Sequence, residues 1–190
     1  SAIGAKSAFD YCVQNQVALV VASTGLSPDL QDQMQKASTK IPICMAPNMS
    51  LAVNLTIKLA EIAAKALSAQ TDNVDVEIIE RHHRFKADAP SGTALRFGDV
   101  IANAMGKTEH QHGRHGDTGK RPPQQIGYHA VRVGDDPGQH TIIFGMMGEL
   151  IELRVAASNR DCYALGAFAA AKFLQNKSPG MYTMNDVLGL

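Results

Sequence analysis

Two six-residue apolar runs, Val17–Ala22 and Ile41–Ala46, flank a helix signal, and this order restricts the fold more than any other feature of the chain. Runs this short and this apolar suit strands buried on both faces, as in a parallel sheet. Between them, Ser27 and Pro28 supply an N-cap and a first-turn proline for a helix through about Ala37. Ahead of them, Ser1–Gln16 has helical periodicity, with Ile3, Ala8, Tyr11 and Cys12 expected on one face. The resulting rhythm of helix, strand, helix, strand is that of an open α/β sheet, entered with no strand before the first helix.

The pattern changes near Met49–Ser50, the expected hinge. Ser50 can cap a long Ala- and Leu-rich helix to about Ser68, and Val74–Glu80 alternates as a strand does. A polar stretch, Arg81–Pro90, leads to Ser91, which opens a helix to about Met105. Gly106–Gln124 reads as a long loop, and loops of that length serve function or assembly. Gln125–Val133, Gln139–Met147 and Leu150–Ala157 are expected as strands of an antiparallel meander separated by Gly-Asp and Gly-Glu turns. Asp161 is placed as the cap of a last substantial helix to about Gln175, and Ser178–Leu190 as a tail with a short helix. The fold class is therefore α/β joined to α+β: part of a parallel sheet, then a domain with a mixed four-stranded sheet and helices, then returning helices.

Composition excludes some partners. Lys+Arg and Asp+Glu are both 18, so nothing favours nucleic acid or an anionic membrane as the main partner. No apolar run approaches the roughly 20 residues that span a bilayer, and no basic, apolar, small-residue leader opens the sequence. Cys12, Cys44 and Cys162 are far apart and without metal-finger spacing, so they read as reduced, mostly buried thiols of a cytoplasmic protein. His110, His112 and His115 share a Gly-rich loop without Cys or carboxylate at ligand spacing, and they read as solvated loop, with no metal site predicted. His129 and His140 fall on expected strands and read as structural, while Arg160 is assigned to steadying the hinge or the pocket.

The stretch Glu80-Arg81-His82-His83-Arg84-Phe85-Lys86-Ala87-Asp88-Ala89-Pro90-Ser91-Gly92-Thr93-Ala94 concentrates chemistry. Histidine is the side chain suited to moving protons near neutral pH, and His82 and His83 stand together. Lys86 adds a positive charge that can steady an anion or developing negative charge. The helix start at Ser91-Gly92-Thr93 offers backbone N–H groups and a positive dipole end, and Gly92 allows close approach to the backbone. Pro90 is expected to hold Ala89 extended and to begin the helix sharply. Together these describe a pocket for a small, multiply anionic substrate that needs proton transfer. The competing reading is a solvated basic loop ahead of an ordinary cap.

The HHRFKADAPSGTA core resembles the signature of the dihydrodipicolinate reductase family: two histidines, a lysine three residues after the second, then DAPSGTA. Further family-like segments are Ala46–Ser50, Gly116–Gly119 with Arg121, Ile126-Gly127, Arg132-Val133-Gly134, Gly138–Thr141 and Asp186–Leu190, so the resemblance runs along essentially the whole chain. It implies hydride transfer from NADH or NADPH to a cyclic dicarboxylate in diaminopimelate and lysine biosynthesis. It also implies roles: His82 as the general acid, Lys86 as the second catalytic cation, and His83 on one substrate carboxylate. Ser91, Gly92 and Thr93 would hold the other. The family's homotetramer, built by packing sheets together, is implied as well, with the 106–124 loop helping to lock it.

For the cofactor, the resemblance implies a nicotinamide end held by Ala22, Ser23 and Thr24 and by Ala46, Pro47, Asn48 and Met49. Ala22-Ser23-Thr24-Gly25 departs at two positions from the family's glycine-threonine-threonine-glycine turn, and Met49 stands where an aromatic residue is common. No glycine-rich phosphate turn follows a strand anywhere in the sequence. The expected organisation is therefore residues 1–49 as the remaining part of a dinucleotide-binding domain, 50–159 as the substrate-binding and tetramerisation domain, and 160–190 as helices returning to the first. The chain reads as an N-terminally truncated reductase, with a catalytically inactive, oligomeric anion-binding module as the alternative.

Overall fold

The computed structural model describes residues 2–71 and 73–190, so the expected helix start at Ser1 and the place of the Ile3 side chain fall outside it. The chain forms two compact units, Ser1–Asn54 with Asp161–Leu190, and Leu55–Arg160.

The first unit is built on a parallel sheet of described residues in the order β1-β2-β8, where β1 is Leu19–Val21, β2 Pro42–Met45 and β8 Gly180–Tyr182. Both faces are covered, which is why the two runs are apolar throughout. On one face Leu19, Val21 and Ile43 meet Phe9 of α1 (Ala2–Asn15) and Leu30 and Met34 of α2 (Pro28–Ala37). On the other, Cys44 meets Ala170 and Leu174 of α5 (Asp161–Leu174) and Met184 of α6 (Met184–Leu188). Ser27 caps α2 as expected, accepting from the Leu30 N–H at 3.3 Å. α1 is rotated from the expected face: Ala5, Phe9, Cys12 and Val13 point inward, while Ala8 and Tyr11 are exposed. Phe9 carries the largest apolar area of that helix, and burying it sets the rotation. β8 was not expected, being three residues long and held by its parallel register with β2. Close packing fixes α5 too: a Cβ on Gly166 would stand 1.7 Å from the Met49 carbonyl oxygen.

The second unit is a mixed sheet in the order β4-β5-β3-β6-β7, with β3 (Asp75–His82) at its centre. β4 is Glu109–His112, β5 Gln125–Arg132, β6 Gln139–Met146 and β7 Glu149–Ala156. β4 lies within the expected loop; its all-polar sequence, EHQH, carries no apolar alternation, as suits an edge strand. The expected three-strand meander is corrected. Only β6 and β7 form an antiparallel hairpin, whereas β5 lies parallel to β3, which separates it from β6. Residues 133–138 are enough chain to step across the roughly 10 Å that two strand spacings require.

α3 (Leu51–Ser68) starts at Ser50, whose hydroxyl accepts from the Val53 N–H at 3.3 Å. α4 (Gly92–Met105) buries Ala94, Phe97 and Ile101 and packs on β3 and β5. Across β6, β3 and β5 the covered face is apolar in two rows, Phe144–Val76–Ile126 and Ile142–Ile78–Tyr128. Towards the carboxyl end of β3 it turns polar: His140 pairs with Glu80, and Arg132 with His82. That change marks the site.

On the opposite face, Glu77 gathers the long loop. Its carboxylate accepts from both terminal nitrogens of Arg114 at 2.8 and 2.9 Å, from Arg121 Nε at 2.9 Å, and lies 2.7 Å from His129 Nε2. Gly127, its partner across the sheet, leaves the necessary space, since a Cβ there would stand 1.9 Å from Glu77 Oε2. Burial opposes ionisation of Glu77, but the guanidinium and imidazole hydrogen bonds outweigh it and hold the carboxyl at about 2. A carboxyl depressed in this way adds stability that is full above its ordinary value of 4.5 and disappears as pH falls through about 2. Stability is therefore expected to drop steeply between those limits. Glu77→Gln should flatten that part of the curve in denaturant unfolding at graded pH. An unchanged acid limb would show that the cluster contributes nothing to folding.

Candidate active site

The sequence places the site by strand alternation. Val76, Ile78, Glu80 and His82 share the covered face of β3, and His82 ends the strand. Beyond it, residues 83–90 form the turn that leads to the N-terminus of α4, and the Ala89–Pro90 peptide is cis. Ser91 caps α4, its hydroxyl accepting from the Ala94 N–H at 3.2 Å.

Glu80 is the centre of the arrangement and is only 1% exposed. One oxygen, Oε2, lies 2.6 Å from His82 Nδ1 and accepts from Arg132 at 2.8 Å. The other, Oε1, accepts from Arg132 at 2.8 Å and from the Ser91 N–H at 3.0 Å. Arg132 also donates to the Asp88 carbonyl at 2.6 Å, tying the turn to β5. Burial works against the Glu80 charge, but Arg132, His82 and the Ser91 amide outweigh it and hold the carboxyl below the usual range.

His140, opposite Glu80 on β6, is buried, lies 3.0 Å from the Ser91 hydroxyl through Nε2, and meets the His82 ring edge-on at 5.2 Å between centroids. Burial, then the neighbouring positive charge of His82, push its imidazole down to about 4, although Glu80 pulls the other way and Lys86 adds to the lowering. It stands as a neutral ring that fixes the Ser91 cap.

The remaining basic residues make local contacts. Lys86 donates to Asp88 at 2.7 Å. His83 Nε2 lies 3.1 Å from a terminal nitrogen of Arg160, while His83 Nδ1 and Arg132 Nε are buried with no hydrogen-bond partner among the described residues. Arg81 reaches Asp136 at 2.6 Å, and Asp136 also accepts from the Gly138 N–H at 2.9 Å, which fixes the β5–β6 turn beside His82. Gly138 has φ +137, and a Cβ there would stand 2.7 Å from His82 Nε2. A Cβ on Gly92 would meet nothing within 4 Å, so packing within the chain does not demand glycine there.

His82, His83, Lys86, Ser91, Gly92 and Thr93 thus belong to one strand end, the turn after it and one helix start in a single unit. Glu80, Arg132, Gly138 and His140 join them without having been singled out as site residues. Period-two alternation puts Glu80 and His82 on one face, a signal the sequence already carried. Arg132 and His140 needed the register of strands about 50 residues away.

The expected cofactor residues lie in the other unit. Ala22 follows β1 and Ala46 follows β2, and the pairing of Val21 with Met45 sets these two carboxyl ends side by side. Asn48 accepts from the Ser50 N–H at 2.9 Å through its side chain and from Asn54 at 2.8 Å through its carbonyl. Ser23 is half-buried, Thr24 and Pro47 are exposed, and Met49 is buried in the core with Cys44 and Leu174. Among the described residues, no group of three or more His, Cys, Asp or Glu is placed to hold a metal ion, and no helix is long and apolar enough to cross a membrane.

Comparison with known proteins adds an independent line. Residues 52–188 match the family described as dihydrodipicolinate reductase, C-terminus, and residues 2–49 match dihydrodipicolinate reductase, N-terminus. The chain is 60% identical over 184 residues to the 4-hydroxy-tetrahydrodipicolinate reductase of Rhodopirellula baltica, covering 95% of this chain and 66% of that protein. It is 50% identical over 182 residues to the same-named protein of Pseudoalteromonas atlantica, covering 94% and 67%. The chain thus spans about two thirds of the length of these curated relatives. Among solved structures, a dipicolinate-bound dihydrodipicolinate reductase from Paenisporosarcina sp. TG-14 superposes with a TM-score of 0.77 at 27% identity, covering 96% of this chain and 69% of that one.

The neutral state of His140 is directly measurable. A histidine held at about 4 against an ordinary 6.5 stays uncharged while the unfolded chain gains a proton. Its share of stability is therefore full above about 6.5 and declines as pH falls towards about 4. Imidazole NMR should show His140 titrating near 4, and a midpoint near 6.5 would contradict the buried, neutral assignment.

Proposed function

The chain belongs to the dihydrodipicolinate reductase family, and on that premise we propose that it takes part in reducing (hydroxy-)dihydrodipicolinate to tetrahydrodipicolinate with NADH or NADPH. The step falls in cytoplasmic diaminopimelate and lysine biosynthesis. In this reading residues 1–49 and 160–190 serve the cofactor, and residues 50–159 serve the substrate and assembly. One observation carries it: Glu80 bonds His82 with one oxygen and the Ser91 amide with the other, so the proton donor and the helix N-terminus are tied to a single carboxylate. A reacting ring with two carboxylates needs just such a pair, a proton source beside an anion seat.

His82 gives its proton from Nε2 to the ring carbon next to the one reduced. Lys86 exchanges Asp88 for the negative charge that develops during this step. His83, whose buried Nδ1 has no hydrogen-bond partner among the described residues, contacts one substrate carboxylate. The amides of Gly92 and Thr93, with the Ser91 cap behind them, hold the other. The open space at the Gly92 Cβ position supports close approach of that carboxylate.

A bound nicotinamide supplies the hydride. Ligands of open α/β sheets sit outside the carboxyl ends of parallel strands. Ala22, Ser23 and Thr24 after β1, and Ala46, Pro47 and Asn48 after β2, fit its nicotinamide end, with Met49 anchoring the second segment through the core. Assembly as a homotetramer is supported by Ile79 and Val131, 38% and 42% exposed on the Glu77 face of the mixed sheet.

In an active preparation, His82→Gln and Lys86→Ala should each lower turnover by roughly 10²- to 10⁴-fold, the usual worth of a positioned proton donor. Thermal unfolding should stay where it is. Wild-type turnover in either variant would remove that residue from the mechanism. Calorimetry should detect binding of pyridine-2,6-dicarboxylate to this chain, and its absence would count against the substrate assignment.

A further inference from the structure

We propose that Glu80 is the positioning residue of the site: its buried carboxylate accepts a hydrogen bond from the Nδ1–H of His82 and so leaves Nε2 as the atom that delivers a proton to substrate. The inference rests on the reading of His82 as the proton donor and adds what makes that histidine competent. An imidazole has two nitrogens, and which one carries the proton is set by the hydrogen bond the other makes. Here the choice is forced by charge. Glu80 Oε2 stands 2.6 Å from Nδ1 and also receives Arg132 at 2.8 Å, and Oε1 receives Arg132 and the Ser91 amide. Among the described residues every partner of the carboxylate other than His82 is a donor of fixed protonation, so the carboxylate is an acceptor and Nδ1 must donate.

The opposite nitrogen is treated in the contrary way. Beside Nε2 the chain places Gly138, at φ +137, where any Cβ would come within 2.7 Å. Nδ1 is anchored on the sheet side, and Nε2 is kept clear by a residue without a side chain. When Nε2–H gives up its proton, the cation becomes the neutral Nδ1–H form with no rotation of the ring and no change in its bond to Glu80. Recharging adds a proton at Nε2 alone. The same carboxylate holds the amide of Ser91, so the donor and the seat for the substrate carboxylate keep their spacing.

The charged and titratable groups around His82 come from every element packed there. They are Glu80 from β3, Arg132 from β5, His140 from β6, Asp136 from the β5–β6 turn, and Lys86 and Asp88 from the 83–90 turn. Of these only Glu80 is a carboxylate on the ring, so removing its charge acts on His82 before anything else.

The test is imidazole nitrogen NMR on the 190-residue protein at alkaline pH, for wild type and Glu80→Gln, with calorimetry of pyridine-2,6-dicarboxylate alongside. Wild-type His82 should be protonated at Nδ1, and Glu80→Gln should lose that preference, since a neutral amide can donate as well as accept. A purely architectural Glu80 would leave the tautomer untouched in any variant that folds. Protonation of wild-type His82 at Nε2 overturns the proposal, and so does an unchanged tautomer in folded Glu80→Gln. Should that variant not fold, the wild-type tautomer alone decides. Failure of wild type to bind the dicarboxylate would instead strike the substrate assignment, leaving the tautomer result to be judged separately.

Discussion

A carboxylate as deeply buried as Glu80 costs several kcal/mol unless its oxygens are met by donors and opposite charge. Four groups from three parts of the chain meet it: His82 two residues on, the Ser91 amide at the start of α4, and both terminal nitrogens of Arg132 at the end of β5. Arg132 alone among them carries a fixed positive charge and reaches both oxygens, so its loss would leave the buried carboxylate without a paired charge. The sheet register, the entry of α4 and the path of the 83–90 turn are therefore coupled through one side chain. Arg132 extends the coupling to the turn through the Asp88 carbonyl.

The apolar rows of the sheet explain why such an expensive group sits where it does. Val76 and Ile78, with their neighbours on β5 and β6, bury a continuous core beneath α4, and polarity begins only at the last two inward positions of β3. The core makes the frame rigid, and the polar end uses that rigidity to fix a histidine, a helix cap and a neutral His140 within one small region. On the other face of the same strand, Glu77 does the comparable task for the 113–124 loop through Arg114 and Arg121. One strand thus organises the site on one side and the long loop on the other.

Much of this is legible in the sequence. Ser27-Pro28, Ser50 and Ser91 mark helix starts by local hydrogen bonding alone, and each begins a helix in the structure. The HHRFKADAPSGTA stretch named its own family because both its chemistry and its spacing are local. What escaped was set at long range. Parallel pairing of β5 with β3 depends on which strand fills the central position, not on the turn residues beside it. β4 and β8 are too polar or too short to announce themselves, and α1 turned to bury Phe9 rather than Tyr11. Glu80 was in view as the first residue of the motif, yet its partners Arg132 and His140 lie more than 50 residues along the chain, so its role needed the sheet.

The central claim is geometric, that one carboxylate sets the proton donor and the anion seat beside each other. A crystal structure of the chain with pyridine-2,6-dicarboxylate tests it most directly. The account predicts one carboxylate on the Gly92 and Thr93 amides, the ring facing His82 Nε2, and Glu80 still bridging His82 Nδ1 and the Ser91 amide. A ligand seated away from the α4 N-terminus, or a His82 ring detached from Glu80 with the ligand bound, would contradict it.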